Sequence, residues 1–209
     1  MASLHLRLGP SSASLLVTVP YRSNVAVPLD TVARLSFLLD ASGEIAADAK
    51  RFLEQREFTK TAAHVADVAQ EAGRLAQRFG ADVASAQMAG WLHDISVVIP
   101  NDERIETAQA WGVPVLPEEA TFPMIIHQKL SVVMAREVFG VADEAILSAI
   151  GCHTTLKRDA NLLDKIVYVA DKIAWDQPGK PPYYAAIVDA AEQSIDAAAY
   201  VYASYLWDM

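Results

Sequence analysis

The stretch FTKTAAHVADVAQEAGRLAQRFG, residues 58–80, decides the fold class of this chain. Its larger apolar residues recur at steps of three and four positions, as expected for one face of an α-helix. These residues are Val65, Val68, Ala72, Leu75 and Phe79. Gly80 follows as a residue type at which helices commonly end. The polar residue His64 opens the same apolar stripe, so the stretch predicts a core helix with an imidazole on its buried side.

Helical periodicity continues on both sides of this stretch, from Asp30 to the end of the chain. We predict further helices over residues 30–39, 45–57, 82–94, 102–111, 122–139, 143–153, 161–175 and 183–207. Four prolines within residues 99–123 predict a long connection around the short helix 102–111. The predicted fold class is therefore all-α, as a single helical bundle.

The amino-terminal residues follow a different pattern. Residues 1 to about 28 contain short β-branched segments separated by the turn signals Gly9-Pro10 and Ser23-Asn24. They predict either a small β-hairpin or an irregular segment. We accordingly divide the chain into an amino-terminal extension, residues 1–43, and a helical domain, residues 44–209.

Composition narrows the class of partner. Of the 209 residues, 53% are apolar, which is ordinary for a globular domain with one sizeable core. The 17 basic and 26 acidic residues give a net charge of −9, which argues against a nucleic-acid surface.

No apolar run approaches the roughly 20 residues that cross a bilayer, and no signal-peptide pattern is present. A single cysteine, Cys152, excludes an intrachain disulfide, so we expect a cytoplasmic protein with an inert buried thiol.

Four of the five histidines form an ordered pattern with two aspartates, and His5 lies outside it. The pattern is His64, His93, Asp94, His127, His153 and Asp171. Neutral imidazoles and carboxylates together suit divalent transition metals, and six such ligands are enough for two ions. Any one of these residues alone is more often structural; Asp171, for example, suits a salt bridge to a buried lysine. Several inward-facing polar groups on separate helices nevertheless favour a shared metal centre.

The order H…HD…H…H…D resembles that of the HD-domain metal phosphohydrolases. The local sequence is similar to one branch, the symmetrical bis(5'-nucleosyl)-tetraphosphatases or YqeK-type proteins. The matching stretches are HVADVAQEAGRLAQRFGAD, AGWLHD, IIHQKLSVVMAREVFGVADEAILSAIGCHTT and LLDKIVYVADKI, within about residues 45–175.

This resemblance implies an HD-domain helical bundle with two metal ions, iron being the leading choice and manganese, zinc or cobalt the alternatives. It implies that one ion is held by His64, His93, Asp94 and Asp171. It implies that the other is held by His127 and His153, with Asp94 as a bridge. We assign catalytic roles to Asp94, His127 and His153. The implied reaction is hydrolysis of diadenosine tetraphosphate to two ADP by a metal-activated water.

Three positions depart from the resemblance, because Val97, Gly151 and Leu156 replace the usual lysine, arginine and glycine. They keep two other functions open. One is a 5'-nucleotidase or cyclic-nucleotide phosphodiesterase with the same metals. The other is a regulatory helical module that binds metal without turnover.

Four further residues are candidates for contacts with the substrate phosphates: Lys129, Thr154, Thr155 and Lys157. For the lysines the alternative is a solvated surface position, and for the threonines it is the end of a helix. The terminal aromatic residues suit the core or a homodimer surface better than base stacking. These residues are Tyr200, Tyr202, Tyr205 and Trp207.

Overall fold

A computed structural model describes residues 16–18, 26–28 and 41–208 of the chain. Two short strands, β1 (Leu16–Thr18) and β2 (Ala26–Pro28), pair antiparallel with Val17 opposite Val27. This pairing matches the hairpin alternative for the amino-terminal extension. The predicted helix over residues 30–39 and the position of His5 lie outside the described residues.

The rest of the described chain is helical, which confirms the all-α class. Ten α-helices follow one another in these residues: α1 (Ile45–Glu54), α2 (Thr59–Phe79), α3 (Val83–Leu92), α4 (Arg104–Ala110), α5 (Pro117–Thr121), α6 (His127–Glu137), α7 (Glu144–Gly151), α8 (Leu162–Ile173), α9 (Tyr184–Ala191) and α10 (Ile195–Trp207). Two 3₁₀ turns, Ile95–Val98 and Pro123–Ile126, interrupt the series. None of the helices in the described ranges combines the length and apolar character needed to cross a bilayer.

Helix α2 is the central element, because its apolar face contributes to two separate cores. Val65 packs in a core with Leu92, Leu130 and Ile150. Other α2 side chains pack in a second core formed with α8, α9 and α10, and these are Val68, Ala72, Leu75 and Ala76. The helix ends as predicted at Gly80, whose φ of 76° lies in the left-handed region that glycine adopts without strain.

Helix α3 crosses α2 at a very short distance. Gly90 is buried at the crossing, and a Cβ atom there would lie 2.6 Å from the Cα of Ala69. Only a residue without a side chain permits this approach. The start of α3 is fixed by Asp82, whose carboxylate accepts a hydrogen bond from the backbone N–H of Ser85 at 2.7 Å. The crossing brings the end of α3 against the buried face of α2.

Most predicted helices differ from the observed ones only at their terminal residues, but two differ by more. The helix predicted from residue 122 begins instead at His127. Phe122 precedes a proline and adopts φ −122°, ψ 75°, which is outside the α-helical region, and the 3₁₀ turn Pro123–Ile126 follows it. The helix predicted over residues 183–207 is broken into α9 and α10. Ser194 causes this break by accepting a hydrogen bond from the N–H of Ala197, as an N-cap residue does.

Candidate metal centre

The structure brings all six histidines and aspartates of the predicted pattern to one place between the two cores. Five segments supply them: the buried face of α2, the end of α3, the start of α6, the turn after α7, and α8. In that order they contribute His64, then His93 and Asp94, then His127, His153 and Asp171. Residues distant in sequence therefore form one polar cluster inside an apolar bundle.

Three of the imidazoles are oriented in the same way by their own chain. In each, the ring Nδ1 donates to the backbone carbonyl three residues earlier: His93 to Gly90 at 2.8 Å, His153 to Ile150 at 2.7 Å, and His127 to Met124. Because the Nδ1 proton is used there, the Nε2 atom carries a free lone pair. Metal-binding histidines commonly have this arrangement, with one nitrogen held by a carbonyl and the other directed at the ion.

In the neutral rings, the Nε2 lone pairs converge on one point. His127 Nε2 and His153 Nε2 lie 2.9 Å apart, and His93 Nε2 is buried with no hydrogen-bond partner. Two facing lone pairs repel unless a cation lies between them. Ligands about 2.1 Å from a transition metal are themselves separated by about 3 to 3.4 Å, close to the observed spacing. The residues therefore fit a bound divalent metal.

The carboxylates arrange the donors into two overlapping groups. Asp94 Oδ1 lies 3.2 Å from His127 Nε2 and 3.4 Å from His153 Nε2, whereas its Oδ2 lies 3.6 Å from His93 Nε2. Asp171 Oδ1 lies 3.1 Å from His64 Nε2 and 3.6 Å from His93 Nε2. Asp94 thus lies between the two groups, with one oxygen directed at each. This set of donors could hold two ions that share a carboxylate.

The mutual fields of these residues shift their pKa values strongly. Burial would raise the pKa of Asp94 and of Asp171, but the surrounding cationic groups hold both well below the usual range. Burial would lower the pKa of His93, but Asp94 and Asp171 raise it to about 9. Burial, with charge from His93 and His127, lowers the pKa of His153 to about 4. The cluster thus keeps two charged carboxylates and needs positive charge beside them.

Two basic side chains near the cluster, Lys172 and Arg104, were not predicted from the sequence as part of the site. Lys172 follows Asp171 directly, and its ammonium bonds the carboxylate of Asp171 while lying 5.1 Å from the Tyr202 ring centre. Asp171 therefore also has the buried lysine partner considered as its structural alternative. Arg104 is only 8% exposed, donates to the carbonyl of Ile99 at 3.2 Å, and lies within the field of Asp94. Arg104 begins a helix of mixed polarity, RIETAQA, and nothing in the sequence distinguishes it from a surface residue.

Of the two predicted threonines, Thr154 lies beside His127, and Thr155 contacts the neighbouring Gln128. Thr154 Oγ1 lies 3.1 Å from His127 Nε2, and the backbone N–H of Thr154 donates to Gln128 Oε1 at 3.1 Å. Thr155 Oγ1 accepts a hydrogen bond from Gln128 Nε2 at 3.0 Å. The buried amide of Gln128, not anticipated from the sequence, therefore holds the turn that carries His153.

The two predicted lysines contact other residues. Lys129 Nζ pairs with Glu119 at 2.8 Å, and Lys157 Nζ pairs with the buried Asp164 at 3.0 Å. A phosphate would have to compete with these carboxylates, so their role in phosphate binding stays a prediction. Cys152 is buried as expected, and burial raises the pKa of its thiol to about 12.

The terminal aromatic residues divide between core and surface. Tyr202 and Tyr205 pack against Tyr183, with ring centres 4.7 Å and 5.0 Å away. Tyr200 and Trp207 are 73% and 91% exposed. The core alternative therefore holds for the first pair, and the homodimer surface stays a prediction for the second.

Comparison with known proteins gives two informative relatives and one solved structure. An uncharacterized protein in the pepC 5'region of Lactococcus lactis subsp. cremoris is 46% identical over 123 residues, which cover 59% of this chain and 63% of that protein. The bis(5'-nucleosyl)-tetraphosphatase, symmetrical, of Bacillus subtilis (strain 168) is 34% identical over 110 residues, covering 53% and 59%. The matched part is therefore less than two thirds of either relative.

A solved structure has the same fold. It is a predicted HD superfamily hydrolase involved in NAD metabolism from Clostridium acetobutylicum, and it superposes with a TM-score of 0.67 at 28% identity, over 73% of this chain and 79% of that one. The family model of the HD domain matches residues 61–176, which include all six residues of the cluster. More than half of the chain lies within that match, and the chain therefore belongs to the HD-domain family.

Proposed function

We propose that this chain is a metal-dependent phosphohydrolase that acts on nucleotides. Its preferred reaction is the symmetrical hydrolysis of diadenosine tetraphosphate, in which one water adds across the central phosphoanhydride and two ADP are released. The observation that carries the proposal is the close pair of Nε2 atoms on His127 and His153, 2.9 Å apart and both adjacent to Asp94. The name of the Bacillus subtilis relative supports the choice of substrate.

Each residue of the cluster has a role in this proposal. His64, His93, Asp94 and Asp171 would hold one ion, while His127, His153 and Asp94 would hold the other. Among the described residues, donor atoms within 4.8 Å of one another form three overlapping groups: His64, His93 and Asp94; His93, His153 and Asp171; and Asp94, His127 and His153. When bound, such cations, with iron as the leading choice, lower the pKa of water towards neutrality and offset phosphoryl charge.

The protein supplies position and charge around the reacting phosphates. The carbonyls of Gly90, Met124 and Ile150 hold the Nδ1 atoms of the three imidazoles, so each Nε2 is directed at the centre. Thr154 directs a hydroxyl at the centre beside His127 and can donate to a phosphate oxygen. The buried guanidinium of Arg104 adds positive charge on the Asp94 side. Such positioning and charge compensation account for most of catalysis in phosphoryl transfer.

The experiment that tests the proposal is product analysis with purified, metal-loaded protein. Incubation with diadenosine tetraphosphate should release ADP as the sole nucleotide product, and oxygen-18 from labelled water should enter one of the two ADP molecules. The matched control is the His127→Ala variant loaded in the same way, which should release none. Formation of AMP with ATP would contradict the symmetrical reaction.

The same assay separates the two alternatives. A nucleotide panel that includes AMP and cyclic AMP tests the nucleotidase and cyclic-nucleotide phosphodiesterase functions, which turnover of those substrates alone would favour. Full metal content without turnover of any nucleotide would favour the regulatory module. The three departures from the resemblance motivate these controls: Val97 packs against the first core, Gly151 ends α7, and Leu156 adopts a left-handed φ of 55°.

A further inference from the structure

A cavity of about 560 Å³ lies next to the metal centre, and none of the six clustered residues lines it. One face of α6 and one face of α7 form its sides, and the segment from Trp111 to Glu119 closes it. Its apolar surface comes from Trp111, Val113, Leu116, Val132, Val133 and Leu147. Small-molecule sites typically have volumes of roughly 300–1,000 Å³ and predominantly apolar walls. The cavity therefore has the size and lining of a ligand site.

The charges around this cavity cancel in pairs. Three cations line it, and each is already bound to a carboxylate: Lys129 to Glu119 at 2.8 Å, Arg136 to Glu144 at 2.9 Å, and Lys157 to Asp164 at 3.0 Å. An anion entering the cavity would have to displace a carboxylate from its cation. A neutral ligand with an apolar ring would meet the apolar walls without that cost, and its amino or hydroxyl groups could bond the rim carboxylates.

Residues that are neighbours in the chain border the cavity and the metal centre. Thr155 lines the cavity, whereas the preceding Thr154 places its hydroxyl 3.1 Å from His127 Nε2. Gln128 also lines the cavity and directly follows His127 in the chain. A ligand could therefore have a neutral part in the cavity and a charged part at the centre.

Gly151 keeps the end of the cavity nearest the centre open. A Cβ atom at this position would lie 3.0 Å from Val132 Cγ2 on the opposite wall. The φ of Gly151 does not lie in the left-handed region, so its backbone conformation does not require glycine. The absence of a side chain instead leaves space between α6 and α7, two residues before His153.

We propose that this cavity binds one nucleoside of the substrate, base and ribose together, while the adjoining phosphates lie at the metal centre. This inference rests on the proposed function and adds where substrate selection takes place. It also gives Lys129 and Lys157 a different role from phosphate binding, because paired with their carboxylates they form the neutral rim of a nucleoside site.

The test uses variants that fill the cavity without touching the six clustered residues. Val133→Trp places a large ring into it from α6, and Gly151→Ala adds one methyl group at the end nearest the centre. Ala142→Trp, on the exposed connection before α7, is the control for adding the same ring elsewhere. Circular dichroism and metal content establish that each variant is folded and loaded.

Two measurements follow on the loaded proteins. Calorimetric titration with adenosine should show binding to the native chain and to Ala142→Trp, weakening at least tenfold in Val133→Trp and less in Gly151→Ala. The KM for diadenosine tetraphosphate should rise at least tenfold in Val133→Trp, while binding of inorganic triphosphate stays unchanged.

The outcomes separate this proposal from the proposed function. Adenosine binding that Val133→Trp abolishes supports the nucleoside site even if no dinucleotide is hydrolysed. Hydrolysis with an unchanged KM in a folded Val133→Trp variant overturns the nucleoside site and leaves the phosphohydrolase intact. Failure of adenosine to bind the native chain at millimolar concentration, or binding of triphosphate in the cavity instead, also overturns it.

Discussion

Asp94 is the residue on which both groups of donors depend, because each of its carboxylate oxygens faces a different set of imidazoles. We expect Asp94→Ala to lose both ions, and elemental analysis of the purified variant measures this directly. Asp171→Ala is the matched comparison, since it removes a carboxylate that lies beside His64 and His93 and that we assign to one ion alone. That variant should keep one ion. Full metal content in Asp94→Ala would exclude the shared carboxylate.

Asp48 is a buried carboxylate whose effect is on stability rather than on the centre. It is 2% exposed and accepts hydrogen bonds from the backbone N–H groups of Ser42 and Gly43, at 2.9 Å and 3.1 Å, and from Arg51. Burial would raise its pKa, but these donors outweigh that effect and lower the pKa below its usual range. We expect Asp48→Asn to lower the free energy of unfolding by about 2 kcal/mol at neutral pH.

The pH dependence of this difference follows from the direction of the shift. A carboxyl whose pKa is lower in the folded state stabilises the protein fully above its unfolded pKa, and loses that contribution as pH falls through the folded value. The difference between native chain and Asp48→Asn should therefore be constant near neutrality and shrink below about pH 4. Urea unfolding at several pH values measures it, with the exposed Glu44→Gln as control. A difference that grows on acidification would contradict the assignment.

At the scale of single residues, the sequence predicted the six clustered side chains better than it predicted the residues around them. The order of His64, His93, Asp94, His127, His153 and Asp171 was sufficient to bring them together in one hypothesis. Arg104 and Gln128 were not anticipated, because a buried cation or amide has no periodicity that distinguishes it from a surface residue. Their positions depend on tertiary packing that no local spacing encodes.

The crossing of α2 and α3 offers a prediction at the scale of elements. Replacing glycine by alanine inside a helix normally stabilises it by about 1 kcal/mol through helix propensity. At Gly90 the added Cβ would lie 2.6 Å from Ala69 Cα, so we expect Gly90→Ala to destabilise the protein by about 1–3 kcal/mol. Thermal unfolding of the variant and of the native chain shows whether the substitution raises or lowers stability.

The control for this crossing is an exposed position on the same helix. Ala84→Gly in α3 should cost only the propensity difference of about 1 kcal/mol, because Ala84 is exposed. Separation of the helices should also reduce metal content in Gly90→Ala, since the carbonyl of Gly90 orients His93. A stabilised Gly90→Ala variant would show that the crossing is not tight.

The break between α9 and α10 depends on a single capping residue. Ser194 accepts a hydrogen bond from Ala197 at 3.3 Å, and its removal should cost about 1 kcal/mol of stability. Ser194→Ala tests this by urea unfolding, with Ser194→Asp, which retains a capping oxygen, as the control. Equal stability of the three proteins would assign the break to packing alone.

Helices with strong periodicity were predicted closely, and connections were not. Helix α2 begins one residue from the predicted start, since its apolar stripe is unambiguous. The alanine-rich stretch 183–207 gave no such stripe, so the cap at Ser194 was hidden within one continuous apolar pattern. Prolines indicated the interruption over residues 99–123, but the second helix there, α5, depends on contacts such as Glu119 with Lys129.

The whole molecule should be stabilised by the ions, because the centre joins elements from both cores. Any ligand that binds only the folded state adds stability, by about 2.7 kcal/mol at one hundred times its dissociation constant. For a chain of this size we expect removal of metal with EDTA to lower the Tm by about 5–10 °C. Scanning calorimetry measures it, and Asp94→Ala should show no response. An unchanged Tm of the native chain after EDTA treatment would show that metal binding does not stabilise the fold.

The hydrogen bonds from Nδ1 to the carbonyl three residues earlier make the aim of each ring a property of a four-residue segment. Two of these carbonyls, those of Gly90 and Ile150, belong to the last turns of α3 and α7, where helices leave acceptors unused. Inserting a residue between Gly90 and His93 would misdirect that ring, whereas lengthening a loop between segments would not. We therefore expect the loops to tolerate changes in length while the three Nε2 atoms keep their directions.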